Sequence, residues 1–256
     1  MLAAQGASYF LLLVRFTALM VVLPFFNWRG TPLLTKIGFA ALLTYLIYLA
    51  AAPQPLALPQ HFLPYLLAVA AEAMFGLALG YLVLLVFSAV RIAGQLIDLQ
   101  AGLAMSSVFD PMFTGQVTIF GQYYYLLASL VFFTLDAHHQ LFLALARTVA
   151  VVPPGGIVFQ PALFSAFTAF FAQMIMLALQ LAAPVVIVLI FCDLVLGLLS
   201  KTVPQLNVLM VGMPLKVGIA LCAVYLSYPY LTPLLTRVFT LIQENLTLLL
   251  QLLQQP

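Results

Sequence analysis

An all-α, polytopic membrane fold is predicted for this chain: long, proline-broken apolar helices forming hairpins, an apolar irregular loop and a C-terminal amphipathic helix. Three observations predict it. Of the 256 residues, 66% are apolar and only 5% carry a formal charge, whereas an ordinary soluble domain is about a quarter charged. The mean hydropathy is +1.21. The apolar residues fall into runs close to the ~20 residues that a helix needs to cross a bilayer core, and proline or polar clusters close those runs. Eight basic and six acidic residues cannot cover a soluble surface for a chain of this length. The basic residues form no run or stripe, so nucleic acid is not expected as a partner.

Taken in order, the first span covers 3–26 and ends at Pro24 and the polar group Asn27-Trp28-Arg29-Gly30. No cleaved leader is expected, because no basic residue precedes this run and no polar domain follows it. The second span, 33–52, is closed by Pro53-Gln54-Pro55 and Pro59. The third, 62–97, is longer than one crossing requires. The fourth, 123–152, stops at Pro153-Pro154-Gly155-Gly156. The fifth, 161–199, contains Pro184 and is expected as a kinked helix or two helices, since a prolyl ring removes a backbone donor and crowds the preceding turn. The sixth, 208–228, is interrupted by Pro214. In the tail, Thr236, Arg237, Thr240, Gln243, Glu244, Thr247 and Gln251 recur every three or four residues and share one face of an amphipathic helix. Such a helix suits the bilayer surface or a partner. The organisation expected is a single membrane domain over 1–256, with N-terminal helices to 100, a loop at 101–122, further helices over 123–235 and the tail at 236–256.

Arg29, Lys36, Arg91 and Lys201 fall after the first, third and fifth spans. The positive-inside rule therefore puts those loops in the cytoplasm and the N-terminus outside. No internal repeat of the kind found in inverted-repeat transporters is visible.

Ionisable groups inside apolar spans are the more informative class. Arg15, Glu72, Asp193 and Asp136 stand where a charge costs at least about 2.5 kcal/mol, and such groups normally face protein or water; Asp98 and Lys201 join Arg15, Glu72 and Asp193 as candidate buried charges. Two accounts are open: a proton or ion relay, or interhelical pairs that fix which helices pack together. The spread of the acids over separate spans favours pairs. Asp193, Gly197 and Lys201 share a face, so Asp193 and Lys201 meet only if the lysine folds back. Gly76 and Gly80 repeat at four residues on the third helix, a flat stripe where another backbone can approach.

Asp136-Ala137-His138-His139 resembles a metal-binding run, but adjacent helical residues diverge by about 100° and the remaining histidine, His61, is distant. No metal site is expected. No nucleophile elbow, zinc-protease motif or phosphate loop is present either, so neither an enzyme nor a cofactor is predicted. The two cysteines, Cys192 and Cys222, read as buried thiols.

The stretch 101–122 stands apart. Gly102, Pro111, Gly115 and Gly121 argue against a continuous helix, yet Met105, Phe109, Met112, Phe113 and Phe120 keep it apolar. Irregular backbone at membrane depth survives only when buried in protein or lining a cavity. It is either a re-entrant packing loop or a closure for a pore.

At these residues the chain resembles the FliR/SctT family of flagellar and type III secretion export apparatus proteins. The resemblance is carried by Gly94-Gln95-Leu96-Ile97-Asp98-Leu99-Gln100-Ala101-Gly102-Leu103-Ala104 with Asp110-Pro111. It is also carried by Leu199-Ser200-Lys201-Thr202-Val203-Pro204-Gln205-Leu206-Asn207-Val208, continuing through Gly212-Met213-Pro214-Leu215-Lys216. The run from Arg15 to Pro24 and the segment from His139 to Gly155 fit as well, in the same order. Asp110-Pro111 and Pro153-Pro154-Gly155 favour the flagellar branch.

The resemblance implies a non-enzymatic subunit of an inner-membrane export gate. Its partners would be FliP-type and FliQ-type proteins, a FlhB-type export switch protein, unfolded protein substrates and membrane lipid. It further implies that the loop is a plug, with Met105, Phe109, Met112 and Phe113 sealing, Asp110-Pro111 within it, and Gly102 and Gly115 as hinges. The implied complex sits largely on the periplasmic side, so six spans would describe the chain before assembly. The alternative from a different class is a stand-alone ion-coupled secondary transporter using Glu72, Asp98 or Asp193.

Overall fold

The structure, a computed structural model, describes residues 2–25, 32–51, 62–103, 118–157, 160–203 and 208–254. Among them are seven α-helices and no strand: α1 (Leu2–Val22), α2 (Leu33–Ala51), α3 (Phe62–Ala101), α4 (Ile119–Thr134), α5 (Ala137–Val151), α6 (Pro161–Thr202) and α7 (Val208–Gln254). Five are long and apolar enough to cross a membrane, or six crossings if α4 and α5 together form one. The chain is an all-α, multi-pass membrane protein, as expected.

Three boundaries differ from expectation. The run 123–152 is not one helix. Asp136 adopts φ 51°, the left-handed region, and stops α4; its carbonyl then accepts the amides of His139 (3.0 Å) and Gln140 (3.3 Å) to start α5. A short acidic side chain tolerates that conformation better than the apolar residues around it. The second difference is continuity. α6 runs through Pro184, and α7 through Pro214, Pro229 and Pro233. Each proline forfeits one ladder bond, a loss that packed membrane helices tolerate when neighbours re-satisfy the freed groups. The third follows from the second: the amphipathic tail is the last third of α7 and not a separate helix. Val238, Phe239, Ile242, Leu246 and Leu249 are buried there, while Arg237, Thr240, Glu244 and Thr247 are exposed.

The helices form two compact units. The first comprises Met1–Val86, Asp136–Phe171 and Thr240–Pro256; the second comprises Phe87–Leu135 and Ala172–Phe239. In the first, α1 buries Ser8, Leu11, Leu12, Arg15, Phe16, Leu19 and Met20, with Leu23 just past its end also buried, a stripe at alternating steps of three and one that matches a single helical face. α2 packs beside it, and Tyr9 reaches across to donate to the Ala41 carbonyl at 3.2 Å. The partly exposed faces of α2 are as apolar as the buried ones, which fits a lipid environment.

The second unit has an aromatic centre. Phe87, Phe132 and Phe239 lie 5.3–5.6 Å apart in edge-on or tilted geometry, the arrangement that ring quadrupoles favour. The cysteines are a correction: Cys192 is half-buried and Cys222 is exposed. On a membrane helix the outward positions are as apolar as the inward ones, so an apolar neighbourhood in sequence does not imply burial.

Candidate functional site

In the first unit, the buried charges converge. Arg15 and Glu72 are both fully buried. The Arg15 Nε donates to Glu72 Oε2 at 2.6 Å and its Nη2 to Oε1 at 3.0 Å, the planar fork meeting a carboxylate edge to edge. The remaining guanidinium donors reach the carbonyls of Val152 (3.2 Å) and Thr148 (3.5 Å) at the end of α5. The guanidinium also stands 5.1 Å from the centre of the Phe75 ring. Glu72 Oε1 accepts the Gly155 amide at 2.7 Å. Gly155 lies at φ 77°, a conformation that glycine adopts without a Cβ penalty. One ion pair therefore joins α1, α3, α5 and the Pro153–Gly156 turn.

Close approach of α1 to α3 makes the contact. A Cβ added at Gly76 would fall on the Arg15 carbonyl, and one at Gly80 would lie 2.8 Å from the Leu19 carbonyl oxygen. These two glycines thus lie on the side of α3 that faces α1.

In the second unit, Asp98 is 1% exposed near the end of α3. Its Oδ1 accepts the Phe120 amide and its Oδ2 the Gly121 amide, each at 3.1 Å, in the first turn of α4. Asp193 on α6 accepts from Lys216 of α7 (2.7 and 3.0 Å to its two oxygens) and from Gln100 of α3 (2.8 Å). Lys201, by contrast, is exposed in the last turn of α6, where a cation suits the negative end of the helix dipole. The fold-back partner considered for Asp193 is replaced by Lys216. A cleft of about 570 Å³ lies between α6 and α7 in this unit, lined by Pro184, Val188, Pro214, Gly218, Cys222 and Tyr230 among others.

Gly102 ends α3 at φ 85°. Met105, Phe109, Asp110, Pro111, Met112, Phe113 and Gly115 lie outside the described residues. The histidine run requires a correction to its geometry. The ligand atoms of Asp136, His138 and His139 all lie within 4.8 Å of one another, and the two imidazoles are 4.3 Å apart. Side-chain torsions offset the 100° backbone rotation between neighbours. Asp136 and His139 are exposed and His138 is half-buried at the first turn of α5, whose positive dipole end disfavours a cation, and the cluster carries no metal assignment.

Lys216, Gln100, Gly94 and Gly155 stand in the sequence runs noted above, but none of them is read there as a functional or pairing residue. Lys216 carries the same signal as Asp193, an ionisable group within an apolar run. Gly94 and Gly155 are distinguished only by their neighbours in space.

The profile of a family described as bacterial export proteins, family 1, matches residues 7–242. The chain is 33% identical to the flagellar biosynthetic protein FliR of Bacillus subtilis over 249 residues, covering 96% of this chain and 95% of that one. To FliR of Escherichia coli it is 31% identical, over 92% and 91% of the two chains. To the Yop proteins translocation protein T of Yersinia pestis it is 30% identical, over 97% and 96%.

Proposed function

The chain belongs to the bacterial export proteins, family 1, and from that premise we propose that it is the FliR-type subunit of a flagellar export gate. It is a component of the flagellar and type III export apparatus, a multi-pass protein of the bacterial inner membrane at the flagellar basal body. The single observation that carries this is collinearity. The two FliR proteins and the Yop proteins translocation protein T all align over more than nine-tenths of either chain.

The finer reading has the chain assembling with FliP-type and FliQ-type proteins, alongside a FlhB-type switch protein, into a pore for unfolded substrates. It works as a conduit and catalyses no reaction. The connection between α3 and α4 is its plug. Met105, Phe109, Met112 and Phe113 form the seal, Asp110 and Pro111 shape it, and Gly102 and Gly115 are its hinges. An apolar constriction of this kind closes a pore by dewetting, without a charged gate. The acids support a structural role for charge: buried Glu72 meets Arg15, buried Asp98 meets backbone amides, and Asp193, half-exposed rather than buried as expected, meets Lys216.

The first test is native mass spectrometry of the detergent-extracted chain co-expressed with FliP-type and FliQ-type proteins of the same genome. One heteromeric complex containing this chain is expected. Partners that assemble without it would overturn the reading, and substrate-driven flux through the purified chain alone would favour the ion-coupled transporter. The plug has its own test. Deleting 105–113 in the assembled complex should raise ion leak at normal complex yield, and unchanged conductance would remove the plug.

A further inference from the structure

We infer that Asp98 is the positioning residue that sets where the connection between α3 and α4 departs and rejoins, its carboxylate holding the α4 end of the proposed plug and its backbone carbonyl the α3 end. The inference rests on that plug reading. The groups involved flank the connection on both sides.

A helix begins with backbone amides that lack intrahelical partners, and a side chain just before the helix usually accepts one of them. In α4 that position is Thr118, which makes no side-chain capping bond. The amides of Phe120 and Gly121 instead donate to Asp98, 22 and 23 residues earlier in the chain and on another helix. Both carboxylate oxygens are engaged, the residue is 1% exposed, and its charge stands at the positive end of the α4 dipole. Charge-assisted bonds to backbone amides are about twice as strong as neutral ones.

The same residue closes α3. The Asp98 carbonyl accepts the Leu103 amide at 3.0 Å, while Gly102, at φ 85°, turns the chain out of the helix. Gly94, one turn earlier on α3, leaves the space that this requires. A Cβ there would lie 2.5 Å from the Gly121 backbone, so any side chain would push the start of α4 away from the carboxylate. The backbone of Asp98 thus holds the last residues before the connection, and its side chain holds the first ones after it.

Asp98→Asn keeps the shape but loses the charge, and its amide group faces a backbone N–H that it cannot accept. Two readouts test the inference in the assembled complex. Hydrogen exchange at the Phe120 and Gly121 amides should quicken by about fivefold to tenfold, the size expected for losing a charged cap. Potassium efflux from vesicles holding the complex should rise, by less than the 105–113 deletion causes, and combining the two changes should add nothing to the deletion. Unchanged exchange overturns the anchor. Unchanged efflux from Asp98→Asn beside a leaky deletion also overturns it, while leaving the plug standing. A deletion that does not leak overturns the plug, and the positioning role falls with it. Loss of complex yield in both Asp98→Asn and Asp98→Ser assigns the residue to folding and overturns the gating role.

Discussion

Arg15 shows how a costly residue becomes a specific one. Two charges removed from water are repaid only when geometry and further hydrogen bonds satisfy both partners, and here Glu72, Val152, Thr148 and Gly155 complete the set. Removing one partner leaves the other charge buried and alone. Arg15→Met should therefore lower stability by about 3–5 kcal/mol, whereas Arg15→Met combined with Glu72→Met should recover most of the loss. Thermal unfolding of the purified chain in detergent measures both, and a double variant as unstable as the single one would refute the coupling. Arg15→Lys should rescue only in part, because a point charge cannot make the fork that joins both carboxylate oxygens.

Along the helices, the buried face is marked by the residues that are not large and apolar. Ser8 and Arg15 on α1, and Glu72, Gly76, Gly80, Gly94 and Asp98 on α3, all fall on the inward stripe. In lipid, the outward face has no reason to be polar, and these groups sit where a neighbouring helix meets them, whereas Arg91 on α3 and Gly38 on α2 lie outward. Glycines make the contrast measurable. Gly38 on α2 has open space where a Cβ would go, while Gly76 would meet the Arg15 backbone. Gly38→Ala should be neutral or stabilising by up to about 1 kcal/mol through helix propensity. Gly76→Ala should destabilise despite the same gain, and Gly76→Leu or Gly80→Leu should lower complex yield. Equal melting temperatures for the Gly38 and Gly76 alanine variants would remove the packing face. Proline proved a weaker boundary than its chemistry suggests: α6 and α7 pass four of them.

Across the molecule, α3, α6 and α7 have 40, 42 and 47 residues. At 1.5 Å per residue each has a contour length of about 60–70 Å, roughly twice the hydrocarbon thickness of a bilayer. Large side chains such as Phe164, Phe191, Leu194, Tyr225 and Leu226 are well over half exposed along α6 and α7. Lipid or neighbouring subunits must cover such faces. Cys222 reports on this directly. In the detergent-solubilised chain, a small maleimide should label Cys222 faster than the half-buried Cys192, and assembly with the partner subunits should slow Cys222. An unchanged labelling rate after assembly would show that this face of α7 stays uncovered.

Composition and run length alone were enough for the class of fold, because burying polar backbone in lipid leaves the helix as the structure an apolar run of this length adopts. The order of the helices and the export family were legible for the same reason, each being written in contiguous residues. Pairing was not. Whether Asp193 meets Lys201 or Lys216, whether Asp98 binds a cation or the amides of α4, and which glycines admit a neighbouring backbone depend on side chains brought together from distant positions. In a chain where both faces of every helix are apolar, hydropathy carries no direction, and only packing distinguishes inside from outside.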